Sequence, residues 1–234
     1  MAVNTTTWNR IRYGLSAPIY DVVTAPLQAM GFSTARRRAL ELLSPRTGSR
    51  LLIVGVGTGL DFEHLPGGVE VVATDLSPQM VERAAKRAAA SGVEAQVRVM
   101  DGERLEFPDS SFDHVVLHLI LAVIPDPLAC AREVSRVLRP GGTVSVFDKF
   151  VSDNERPSML RRALNIVTNA AFSDINRKLG PILDAGGLEL VEREPAVSGL
   201  FTIALAQRRR DPQQSMAADA GAVGGPRFVP GVRS

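Results

Sequence analysis

A chain of 234 residues, 45% of them hydrophobic, can bury one sizeable core and form a single domain with small additions. No apolar run approaches the ~20 residues of a membrane span, the N-terminus lacks a charged and then apolar leader pattern, and the one cysteine, Cys130, permits neither an intramolecular disulfide nor a cysteine cluster for zinc. The net charge of +2 does not point to nucleic acid, because five arginines and two aspartates from residue 208 onward carry +3 and leave −1 on residues 1–207. The chain reads as cytoplasmic, with a body close to neutral.

Residues 1–49 hold the sole tryptophan, Trp8, and both tyrosines, Tyr13 and Tyr20. Ala35, Ala39, Leu40, Leu42 and Leu43 recur with loose helical periodicity, which predicts a helix over 34–43 with Ser33 as its cap and Pro45 beyond its end. The earlier stretch is broken by Pro18 and Pro26. Its Trp8, Ile11, Tyr13 and Leu15 beside Arg10 and Arg12 fit either plain packing or peripheral contact with a membrane surface.

Next comes LLIVGVGTG at 51–59, the stretch that organises the chain. Four apolar residues read as a buried parallel strand running into Gly55, Gly57 and Gly59, a tight strand-to-helix turn. Glycines accept positive φ and let a ligand approach the backbone with no Cβ in the way. A helix is expected to continue over 61–65 until Pro66 and the Gly67-Gly68 turn stop it, with His64 a packed or solvent-facing residue on it. The second strand, 69–74, ends in Asp75, where doubly wound folds place an acidic side chain against ribose hydroxyls. That outlines a nucleoside site. The spacing is GxGxG, with Leu60 where the dinucleotide fingerprint GxGxxG has its third glycine.

Ser77 then caps a helix with Pro78 at its first position, and Met80, Val81, Ala84, Ala85 and Ala88 make its apolar face. Glu82 and Lys86 are spaced for an i,i+4 pair, and Gly92 ends the helix. The third strand, 94–100, delivers Asp101 to the carboxyl edge where open α/β sheets bind ligands. The fourth, 113–117 with an apolar continuation to 124, carries His114 and His118 on one face by alternation. His118 is the one histidine considered for catalysis, as an imidazole that accepts a proton near neutral pH; a hydrogen-bonded core histidine is the alternative. A helix over 128–138, with Cys130 as a packing residue, precedes Pro140-Gly141-Gly142. The fifth strand, 143–148, brings Asp148 and Lys149 to the ligand edge. In 152–178, Arg156, Arg161, Arg162 and Arg177 are interleaved with apolar residues, as in helices that cap a pocket, and the arginines suit either an anionic headgroup or a solvated face. Strands at 188–192 and 197–206 pair antiparallel, and 208–234 reads as a disordered tail.

The motifs GVGTGLD, TDLSPQM, MDGERLEFPDSSFDHVVL and REVSRVLRPGGTVSV, in that order, resemble the class I S-adenosylmethionine (SAM) dependent methyltransferases of the methyltransferase type 11 group. The nearest branch holds the quinone-biosynthesis and bacterial phospholipid N-methyltransferases, and the likeness is strong over 50–147. It implies a Rossmann-like, doubly wound α/β fold with seven strands in the order 3-2-1-4-5-7-6, the last antiparallel, and helices on both faces. It implies an N-terminal helical lid over 1–49, a SAM-binding domain over 50–207 with an acceptor-pocket cap at 152–187, and a tail over 208–234.

The cofactor residues implied are Gly55, Gly57, Gly59, Asp75, Leu76, Met80, Asp101, Gly102 and Tyr20, the last paired with Asp21 in a segment that folds over the pocket. Asp101 would accept the adenine amino group and the Gly102 amide would meet a ring nitrogen. The activity implied is SN2 methyl transfer, with no metal, to a hydrophobic small molecule or lipid; no nucleic-acid partner is expected and the oligomeric state is open. Two positions depart from the pattern. Ile53 stands where most relatives have Glu or Asp, a role Asp61 or water is expected to fill, and Ala122 and Val123 stand where many have polar or paired histidine residues. A non-catalytic SAM- or adenosine-binding module remains an alternative, as does a nucleic-acid or protein methyltransferase, which the near-neutral body disfavours.

Overall fold

The structure is a computed structural model and describes residues 31–151 and 177–209. Among these, helix α1 (Ser33–Leu43) is followed by β1 (Arg50–Val54), β2 (Glu70–Asp75), α2 (Pro78–Ala90), β3 (Ala95–Val99) and β4 (Phe112–His118). Helix α3 (Pro127–Val137), β5 (Leu138–Asp148), α4 (Leu179–Ala185), β6 (Leu188–Ala196) and β7 (Phe201–Arg208) complete the order. The strands form one sheet, β3-β2-β1-β4-β5-β7-β6, as the family resemblance implied. The first five run parallel, and β7 is antiparallel to both β5 and β6.

Strand β1 is central, so both faces of it are covered and it has no polar alternation. Leu51, Leu52, Ile53 and Val54 are all buried, each worth about 1.5–3 kcal/mol relative to exposure. Leu52 and Val54 join Val115, Leu117, Val144 and Val146 under α3 and α4. Leu51 and Ile53 join Val71, Ala73 and Val116 on the other face, with Leu40 and Leu43 of α1 and Ala84 and Ala88 of α2. The register aligns the carboxyl ends: Val54 lies beside Thr74, Asp75 beside Val99, and His118 beside Phe147.

Local chemistry explains where the elements begin. The Ser77 hydroxyl accepts the Met80 N–H at 3.4 Å with Pro78 just inside α2, and Asp126 accepts the Leu128 and Ala129 N–H groups at 3.0 and 2.9 Å to open α3. The expected Glu82–Lys86 pair forms at 2.6 Å.

Three local expectations are corrected. No α-helix follows the glycine turn; a single 3-10 turn, Phe62–His64, is all that fits before Pro66 and the Gly67-Gly68 turn. Ser33 is the first residue of α1 and does not cap it; Phe32 occupies the cap position in helical conformation, and the Ser33 hydroxyl lies 3.2 Å from His64 Nε2. Strand β5 begins at Leu138 and carries Pro140, Gly141 and Gly142 within it. There a Cβ on Gly142 would stand 2.9 Å from the carbonyl oxygens of Arg139 and Asp113, which only glycine allows.

Cys130 is buried and its thiol is pushed up to about 12 by burial, the state of an inert packing residue. Among the described residues no helix is long and apolar enough to cross a membrane. Tyr20, the amphipathic stretch around Trp8, most of the 152–187 cap and nearly all of the tail lie outside the described residues.

Candidate active site

A cleft of roughly 850 Å³, counted out to open solvent, lies at the carboxyl edge of β1, β2, β3 and β4. The three glycines of the turn serve it differently. All have positive φ, at 71°, 56° and 82° for Gly55, Gly57 and Gly59. A Cβ on Gly57 would meet nothing within 4 Å, so this residue leaves the cleft open. A Cβ on Gly55 would stand 2.6 Å from Ile120 Cδ1, and one on Gly59 would stand 2.8 Å from the Phe62 ring and 3.2 Å from Ala84 Cα. Gly55 and Gly57 line the cleft; Gly59 lies behind it, where the turn packs on α2.

The turn is held from β2 and α2. Val56 donates its N–H to the Thr74 carbonyl at 2.9 Å, and Arg87 Nε donates to the Thr58 carbonyl at 2.9 Å. Asp75 accepts the Gly57 N–H on Oδ2 and the Ser77 N–H on Oδ1, both at 2.9 Å. A carboxylate offers about four acceptor positions, so these N–H groups leave acceptor capacity for a ligand. Burial raises the Asp75 carboxyl above its ordinary value, and the N–H groups of Ser77, Gly57 and Leu76 pull it back only in part.

Leu76, Met80, Asp101 and Gly102 also line the cleft. Asp101 Oδ1 accepts the Glu103 N–H at 2.9 Å, and Glu103 Oε1 accepts the Asp126 N–H at 2.8 Å, tying the β3 loop to the start of α3. A Cβ on Gly102 would stand 2.8 Å from Val54 Cγ1 and 3.1 Å from Ile124 Cδ1. The far wall is apolar: Leu119, Ile120, Val123, Ile124 and Pro125, from the loop after β4.

His118 lies elsewhere. It is not among the cleft's lining residues, and its side chain is sealed with Asp61, Arg36 and Ser145 on the α1 face of the sheet. Its Nδ1 is 2.6 Å from Asp61 Oδ1 and its Nε2 is 3.0 Å from the Ser145 hydroxyl, which also stands 3.1 Å from the Ala39 carbonyl. Arg36 donates to Asp61 Oδ2 at 2.8 Å. Burial pushes the Asp61 carboxyl up, but Arg36 and His118 together overcome it and hold the group well below the carboxylate range. Of the two stand-ins expected for the acidic residue missing at Ile53, Asp61 or water, Asp61 has its oxygens taken by Arg36 and His118, and Asp75, Thr74 and Arg87 support the glycine turn. His64, like His118, is away from the cleft.

Seven of the residues singled out in the sequence, Gly55, Gly57, Asp75, Leu76, Met80, Asp101 and Gly102, thus meet around one cleft. Glu103, Leu119 and Ile120 were missed. Glu103 had a signal, its place directly after Asp101-Gly102; the apolar wall had none, because Leu119 and Ile120 read as strand continuation. Among the described residues no group of three potential metal ligands occurs. The donor set fits a nucleoside carrying positive charge: carboxylates for hydroxyls and an amino group, apolar walls for a base, and room for close backbone approach at Gly57.

A family model described as a methyltransferase domain matches residues 52–146. The chain is 34% identical over 177 residues to a phosphatidylethanolamine N-methyltransferase from Cereibacter sphaeroides, covering 74% of this chain and 87% of that protein. It is 33% identical over 170 residues to a demethylmenaquinone methyltransferase from Thermus thermophilus, covering 71% and 74%. Among solved structures, a SAM-dependent methyltransferase from Methanosarcina mazei superposes with a TM-score of 0.59 at 20% identity, covering 74% of this chain and 98% of that one. The cyclase SpnF has the same fold, with a TM-score of 0.59 at 20% identity over 75% and 81% of the two chains. The chain belongs to the class I SAM-dependent methyltransferases. It is accordingly a methyltransferase enzyme, and its family's methyl donor is SAM.

Proposed function

We propose that the protein moves the methyl group of SAM to a hydrophobic small-molecule or lipid acceptor, with the cofactor held in the cleft at the carboxyl edge of the sheet. The observation that carries this reading is the charge of the lining: Asp75, Asp101 and Glu103, with no lysine, arginine or histidine among the described lining residues. A pyrophosphate there would meet like charges and no cation, whereas a sulfonium and ribose hydroxyls meet acceptors.

Asp75 would take ribose hydroxyls through its remaining lone pairs, Asp101 the adenine amino group and the Gly102 N–H a ring nitrogen. Bound SAM supplies a methyl group already activated on a positive sulfur. The chain's own task is to hold the acceptor's lone pair in line with the breaking bond and to keep water out. The apolar wall from Leu119 to Pro125 suits the second requirement. His118 has no proton-transfer role on this reading; its ring belongs to the interface between the sheet and α1. The names of the two relatives, one a phospholipid enzyme and one a quinone enzyme, support an apolar acceptor.

Incubation with methyl-labelled SAM and either phosphatidylethanolamine vesicles or a demethylated quinone tests the acceptor class. Label entering the organic phase with wild type and lost with Asp75→Ala is expected. SAM binding without transfer to either class would contradict the acceptor assignment.

A further inference from the structure

The wall formed by the loop after β4 leaves its strand through a strained residue. Leu119 has φ of 60°, a left-handed conformation that is strained for a residue carrying a β-carbon. Its N–H donates to the Phe147 carbonyl at 2.7 Å, and two residues later the chain is gripped again. Asp148, fully buried at the end of β5, accepts the Ala122 N–H on Oδ2 at 2.9 Å, while its Oδ1 accepts the Lys149 N–H at 2.8 Å. Arg177 Nη1 donates to the Leu121 carbonyl. The Leu121 carbonyl and the Ala122 N–H are the two ends of one peptide unit. A cation therefore holds its oxygen and an anion its hydrogen, each as a charge-assisted bond. Both jaws stand on the same support, because the Val151 N–H donates to the Arg177 carbonyl at 2.9 Å and Val151 bridges to Lys178.

We propose that Asp148 and Arg177 are positioning residues that clamp the Leu121–Ala122 peptide and so fix the apolar wall of the cofactor cleft. This rests on the cofactor reading above. Neither side chain lines the cleft; both act through the loop, whose Leu119 and Ile120 precede the clamped peptide and whose Val123 and Ile124 follow it. Ile120 also fills the space over Gly55, so the clamp sets where the glycine turn ends and the wall begins. The buried carboxylate of Asp148 gains its stabilisation from N–H groups and the nearby charges of Lys149 and Arg177.

The test uses the full chain with S-adenosylhomocysteine as probe, titrated by calorimetry, together with hydrogen exchange of the segment 119–125. Arg177→Met and Asp148→Asn should bind on the order of tenfold more weakly and exchange faster in that segment. Arg177→Lys, which keeps a cationic donor for the Leu121 carbonyl, should recover most of the affinity. Val134→Ala, a core change on α3, serves as the control: it should lower the melting temperature and leave the affinity of the folded protein unchanged. Wild-type affinity and exchange in Arg177→Met would overturn the clamp, even if Asp148→Asn fails to fold. A wild-type protein that takes up no S-adenosylhomocysteine would overturn the cofactor reading itself, and the purpose assigned to the clamp with it.

Discussion

Asp61 and Asp75 flank the same glycine turn and meet opposite surroundings. Burial raises the carboxyl of each, but Asp61 has the full charge of Arg36 and the ring of His118 against it, while Asp75 has only N–H groups. The first is driven far below the carboxylate range and has both oxygens occupied by side chains; the second stays raised and lines a cleft. Asp148 repeats the second pattern in a sealed place, with its carboxyl raised to about 6 by burial that the Lys149 and Ala122 N–H groups offset only in part. Asp61 is paired directly with the Arg36 guanidinium, whereas Asp75 and Asp148 accept backbone N–H groups.

Removing Asp61 should have the largest effect. Asp61→Ala leaves the Arg36 guanidinium buried without its counter-charge, and its Nε already has no partner. A loss of about 3–5 kcal/mol is expected by urea denaturation, and a loss below ~1 kcal/mol would dissolve the contrast with Asp75.

Next comes pH. The folded value of Asp148 lies above the unfolded one of about 4, so its contribution is present below about pH 4 and is lost as pH rises through about 6. Asp61 has the opposite sign: its contribution is present above about pH 4 and fades as pH falls below it. The stability difference between wild type and Asp148→Asn, the isostere of the protonated acid, should therefore shift by about 2 kcal/mol between pH 4 and pH 7 against wild type. A flat difference would mean that the fold leaves the ionisation of Asp148 unshifted from its unfolded value.

Asp75→Ala should cost roughly 1–3 kcal/mol in SAM affinity, read by calorimetry, with a smaller effect on melting. Unchanged affinity would remove Asp75 from the ligand side of the comparison. The smallest effect is expected from Gly57→Ala, which meets no neighbour but must hold a φ of 56°, at about 1 kcal/mol of stability. A much larger loss would show that the turn has less room than its geometry indicates.

Much of this was legible in the residues because the signals are local. The buried run before Gly55, the Ser77-Pro78 helix start and the acidic ends of β2 and β3 depend on neighbours a few positions away. The strand order came from the family resemblance, since spacing alone does not place a β6–β7 hairpin next to β5. The sealed cluster was not legible: Arg36 and Asp61 are 25 positions apart, and Asp61 and His118 are 57. Alternation put His114 and His118 on one face but could not say which face opens to the cleft. That face turned out to carry α1, with Ser145 and Phe147 beside His118. The helix expected after Gly59 failed for a reason the sequence did contain, since Pro66 and the two glycines leave room for a single turn.

Calorimetric titration of SAM and S-adenosylhomocysteine, with NAD as control, tests most directly whether the acidic cleft holds SAM. Saturable binding of both with no heat from NAD is the predicted result. Binding of NAD, or of none of the three, would contradict the account.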